Sequence, residues 1–129
     1  IKEYQQEVGK IMTEELIGLG LLNQKMVKDQ DPEKPAYKKY FMHGTSHQLG
    51  LDTHDYGLID QPLEANMVLT VEPGLYFGAW RPDVDCPQRY ANIGIRIEDD
   101  VLVTDGDPDV LTGSCPKTID DIERIVGSL

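Results

Sequence analysis

Apolar residues near the start of the chain recur at three- and four-residue steps. Tyr4, Val8, Ile11, Met12, Leu16 and Leu19 follow this spacing. They predict an amphipathic helix, and Gly20 is placed to end it. Residues 29–35, reading DQDPEKP, set two prolines among polar groups and predict a loop. Short apolar pieces at Phe41–Met42, Met67–Val71 and 74–77 (GLYF) predict strands, and residues 78–92, with two prolines, predict an irregular excursion. The clearest β pattern is IGIRIEDDVLVT, in which Ile93, Ile95 and Ile97 alternate with Gly94, Arg96 and Glu98. The isoleucines therefore face one way and Arg96 with Glu98 the other. Asp99–Asp100 then predicts a tight turn into Val101–Thr104, and so a hairpin. The chain closes with a helix capped by Thr118, whose buried stripe is Ile119, Ile122, Ile125, Val126 and Leu129. Helix, scattered strands, hairpin and helix in that order predict an α+β fold with an antiparallel sheet rather than βαβ units.

Composition narrows the class. The 129 residues, 40% of them hydrophobic, suit one domain with one core. No apolar run approaches the roughly 20 residues of a membrane span, and the start is not that of a signal peptide, so no membrane is expected as partner. Twelve basic against twenty-three acidic residues give a net charge of -11. That balance argues against nucleic acid, which wants a basic face. Cys86 and Cys115 are too few for a disulfide framework and form no C-x-x-C pair, which points to a reducing compartment and a cytoplasmic location.

All three histidines lie in one stretch, HGTSHQLGLDTHD, at positions 43, 47 and 54. Imidazole is the commonest metal ligand, so a zinc-protease helix has to be considered. The metzincin template H-E-x-x-H-x-x-G-x-x-H matches His43, His47 and Gly50, but His54 comes one place late. Gly44 also stands where the glutamate base belongs. Gly-Thr-Ser is a poor helix interior besides, since glycine there costs about 1 kcal/mol relative to alanine. The zinc-protease helix fails.

Two carboxylates change the weighing. A lone histidine is ordinarily a hydrogen-bonded structural residue. Glu72 follows an apolar strand in VLTVEPGLY, and a carboxylate there is either at a solvent-facing strand end or directed inward. An inward charge needs a partner or a metal. Glu98 shares a strand face with Arg96 and could be a simple surface ion pair. Together, one imidazole and two strand-end carboxylates resemble a hard divalent-metal site of manganese or zinc type.

The segments FMHGTSHQLGLDTHDYG, MVLTVEPGLYF, NIGIRIEDDVLVT and LTGSCPKTIDDIE resemble, in order and over nearly the whole chain, the C-terminal catalytic half of aminopeptidase P. These Xaa-Pro aminopeptidases are pita-bread metallopeptidases, a group they share with prolidase and methionine aminopeptidase. The resemblance implies that residues 1–129 are the C-terminal portion of one pita-bread catalytic domain. It implies that His47 is a metal ligand, Glu72 both ligand and acid/base, and Glu98 a bridge between two metals. His43 and His54 would line the site, His54 touching the substrate carbonyl or the tetrahedral intermediate, and Arg96 would hold a carboxylate in place. Two divalent ions, manganese before zinc or cobalt, would activate a hydroxide and stabilise the oxyanion. The substrate would be a peptide with proline second.

The resemblance departs from the family at one point. Two aspartate ligands of the family should precede the first helix, and Asp29, Asp31, Asp52 and Asp55 do not stand in their context. The chain is thus expected to bind at most one metal weakly, to be inactive alone and to self-associate through strand edges left unpaired. Prolidase is the nearest rival. A non-catalytic binding module on the same fold is the rival from another class.

Overall fold

The computed structural model describes residues 1–56, 61–78 and 86–127. Helix α1 (Lys2–Gly18) forms where the apolar spacing predicts it. Leu16 is fully buried, whereas Ile11 and Leu19 are exposed, so the stripe is narrower than the pattern suggests. Gly20 adopts φ +75° and closes the helix, with Gly20 N donating to Ile17 O and Leu21 N to Leu16 O. That is the C-terminal motif glycine favours, and it sets Leu21 in the core beside Leu16. A short helix α2 (Gln24–Lys28) follows, its Met26 amide donating to the Asn23 side chain. One turn of helix offers too little periodicity to be read from sequence.

The expected strand at Phe41–Met42 is absent. A 3-10 turn at Ala36–Lys39 precedes it instead and delivers Tyr37, Tyr40 and Phe41 into the core with Leu16, Leu21, Leu22 and Phe77. Phe41 is buried and Met42 exposed, and a run of two apolar residues does not distinguish a strand from the end of a turn.

The strands are β1 (Gln48–Leu49), β2 (Val68–Val71), β3 (Gly74–Phe77), β4 (Ile93–Arg96), β5 (Asp99–Leu102) and β6 (Asp109–Val110). One sheet has the order β1-β2-β5-β6, the other pairs β3 with β4, and every pairing is antiparallel. The α+β expectation holds. The hairpin expectation does not: Asp99 and Asp100 lie inside β5, which pairs with β2, while β4 pairs with β3. Asp-Asp is a weak turn former, and backbone pairing with distant strands outweighs it.

Helix α3 (Ile119–Val126) starts at Thr118, whose hydroxyl accepts from Asp121 N at 3.2 Å. Its expected stripe is not buried in this chain, since Ile119, Ile122, Ile125 and Val126 are all exposed. Leu129, and residues 79–85 of the expected excursion, lie outside the described residues. Ile93, Ile95 and Ile97 are exposed as well. Both cysteines are free thiols. Among the described residues no helix is long and apolar enough to cross a membrane.

A polar clamp ties β5 to the segment before α3. Thr112 Oγ1 donates to Asp99 Oδ1 at 2.6 Å, and Lys117 Nζ lies 2.9 Å from the same oxygen. The Thr112 hydroxyl, then Lys117, hold the Asp99 carboxyl below its usual value. A depressed carboxyl contributes stability above the usual carboxylate value of about 3.9, and loses it as pH falls through the folded value. Asp99→Asn is expected to lower Tm at neutral pH by a margin that shrinks under acid. A margin unchanged between neutral and strongly acidic pH would show that the charge contributes nothing.

Candidate metal centre

Strands β2 and β3 are one run of chain broken at Glu72–Pro73, and β4 and β5 are another broken at Ile97–Glu98. Val71 pairs with Asp99 on one side of the break, and Gly74 pairs with Arg96 on the other. The register is therefore the same on both sides, and Glu72 stands opposite Glu98. Pro73 has no N–H to give, which interrupts the ladder there. A long backbone contact of 3.4 Å, from Ile97 N to Pro73 O, crosses the break. Like charges set directly opposite each other in an antiparallel pair repel. A cation between the two carboxylates would relieve that repulsion.

The chain around His47 is laid beside this break. Thr70 N donates to His47 O at 3.0 Å and Glu72 N to Thr45 O at 2.8 Å, so residues 45–49 run antiparallel to 68–72. The His47 Nδ1 is 3.1 Å from the Gln48 carbonyl and donates to it, leaving Nε2 with its lone pair. Nε2 in turn is 3.1 Å from Glu72 Oε1. Two lone pairs at that distance require a shared proton or a metal ion. One ligand atom from each of His47, Glu72 and Glu98 lies within 4.8 Å of the others. An imidazole with two carboxylates is a donor set that fits manganese or zinc.

The remaining predicted residues surround this cluster without joining it. Arg96 Nη1 is 3.6 Å from Glu72 Oε2, on the side away from His47. His54 is exposed and stacks obliquely on His47, with ring centroids 4.4 Å apart. His43 donates from Nδ1 to Gly44 O at 2.7 Å and accepts at Nε2 from the Tyr76 hydroxyl at 2.8 Å, its ring edge-on to Phe41. Two residues at the site were not singled out from sequence. Thr70 bonds both His47 and Glu72, and Tyr76 holds His43. Strand parity was the available signal, since both share the parity of Glu72.

The model for metallopeptidase family M24 matches residues 1–105. The chain belongs to that family. Among relatives, the M24 chain is 43% identical to a Xaa-Pro aminopeptidase of Haemophilus influenzae, over 98% of its own length and 29% of the relative's. Among solved structures, proline aminopeptidase P II from Yersinia pestis shares 44% identity at a TM-score of 0.80, over 97% of this chain and 29% of that one. Aminopeptidase P from Escherichia coli with the inhibitor Pro-Leu gives 42% and 0.76, over 92% and 27%. The M24 chain thus spans less than a third of the length of these relatives, and its fold is the pita-bread fold of aminopeptidase P.

The His43–Tyr76 contact depends on Gly74. A Cβ at Gly74 would lie 2.5 Å from the Tyr76 hydroxyl and 2.9 Å from the ring carbon bearing it. Gly74→Ala is expected to cost about 1–3 kcal/mol, the usual range for overpacking, in denaturant unfolding. In a Tyr76→Leu background the same change should cost clearly less, because the clashing ring is gone. Equal costs in both backgrounds would place the strain elsewhere.

Proposed function

We propose that this chain is the C-terminal portion of the catalytic domain of a Xaa-Pro aminopeptidase, which hydrolyses the bond between an N-terminal residue and a following proline. The observation that carries this reading is the opposition of Glu72 and Glu98 beside the lone pair of His47. The presence of His47, Glu72 and Glu98 together argues against a non-catalytic module. The relatives' names favour aminopeptidase over prolidase.

His47, Glu72 and Glu98 would hold divalent metal, with manganese preferred over zinc or cobalt. When bound, divalent ions supply Lewis acidity and lower the pKa of water. Glu72 carries the proton. One of its oxygens faces His47 and Thr70 and the other Arg96, which hold the carboxylate in place, and it would take a proton from the attacking water and deliver it to the leaving imino nitrogen of proline. His54, exposed beside His47, meets the substrate carbonyl. His43 lines the site with Tyr76 on its Nε2. Three protein donors fill about half of a six-ligand shell, so the 129 residues alone bind one ion weakly and lack peptidase activity.

In the intact enzyme Glu72→Gln should lower kcat on a Xaa-Pro peptide by at least about 10²-fold. His47→Ala should lose metal, while His54→Ala should keep its metal and lose turnover. A near-normal kcat for Glu72→Gln, or equal metal content in the two histidine variants, would overturn these roles.

A further inference from the structure

We infer that Thr70 is the positioning residue of the metal centre, its buried hydroxyl joining the backbone of one ligand to the carboxylate of another. The inference rests on the metal reading of His47 and Glu72 given above. Thr70 is 1% exposed, and a hydroxyl in that position must find its partners inside the protein. It finds two. His47 N donates to Thr70 Oγ1 at 3.1 Å, and Thr70 Oγ1 donates to Glu72 Oε1 at 3.2 Å. The Thr70 amide also donates to His47 O at 3.0 Å, so the residue grips both backbone groups of His47.

The consequence is a fixed spacing between ligands that come from different segments of the chain. The hydroxyl proton occupies one lone pair of Oε1, and the same oxygen sits 3.1 Å from His47 Nε2. Arg96 cannot replace this hold. Its side chain is 51% exposed and reaches only the other oxygen, at 3.6 Å. Valine has nearly the shape of threonine but neither accepts from the His47 amide nor donates to Glu72. Serine does both.

The test measures Mn²⁺ affinity by calorimetry on the metal-depleted intact protein, together with the Tm of the metal-free form. Thr70→Val should bind Mn²⁺ about 10–100-fold more weakly, the usual effect of removing a group that orients a ligand. Thr70→Ser should bind close to wild type. Thr70→Ala removes the hydroxyl in a smaller side chain and should match Thr70→Val if the latter folds poorly. With Co²⁺ in place of Mn²⁺, the visible absorption band should shift in Thr70→Val and Thr70→Ala and not in Thr70→Ser. Wild-type affinity in Thr70→Val or Thr70→Ala would overturn the inference, as would an equal loss in Thr70→Ser. His47→Ala separates the two failures. If it binds as tightly as wild type, the metal reading falls and Thr70 with it. If it loses metal while Thr70→Val does not, only the role of Thr70 falls.

Discussion

Two carboxylates facing each other across a broken β-ladder are the constraint on which the site depends. The pairing of residues 68–77 with 93–102 keeps one register through its interruption, and that register sets Glu72 opposite Glu98. Proline at position 73 makes the break, because it withholds the amide that would have continued the ladder. The backbone thus creates a local excess of negative charge and, at the same point, frees the two side chains from regular strand geometry. A cation relieves the repulsion. His47 enters from a third segment with its Nδ1–H already committed to a carbonyl, so in the neutral imidazole the lone pair is on Nε2, toward Glu72. Ligands arriving from separate segments need something to set their spacing, and the buried hydroxyl of Thr70 lies between His47 and Glu72.

Much of the site was legible in the sequence because strand parity and chain order act locally. The alternation of Ile93, Ile95 and Ile97 with Arg96 and Glu98 gave the strand and its polar face, and VLTVEP gave a strand ending in a carboxylate. What alternation does not carry is the identity of the partner strand. The same residues fit a local hairpin as well as a pairing with the segment around Glu72, and only the latter brings the two glutamates together. Thr70 and Tyr76 passed unnoticed for a related reason. A threonine inside an apolar strand and a tyrosine after a glycine are ordinary in strands, and their importance comes from what lies across from them.

The core was partly legible too. The spacing of Leu16 and its neighbours identified α1, while the 3-10 turn that buries Tyr37, Tyr40 and Phe41 has no periodic signature. The stripe of α3 shows the opposite case. Its pattern is strongly amphipathic and its cap is formed, yet Ile119, Ile122, Ile125 and Val126 stay exposed. Periodicity reports which face a helix would bury and says nothing of what covers it. The isoleucines of β4 are in the same position. Apolar residues thus remain exposed on a chain that spans less than a third of the length of its M24 relatives.

The most direct test of the register and of its chemical consequence is anomalous diffraction at the manganese edge, from crystals of the intact protein grown with and without Mn²⁺. The shared register predicts a manganese peak within bonding distance of His47 Nε2 and of carboxylate oxygens of Glu72 and Glu98. It also predicts that the three side chains converge in the metal-free crystals. A manganese peak elsewhere, or glutamates that stand apart when metal is withheld, would contradict it.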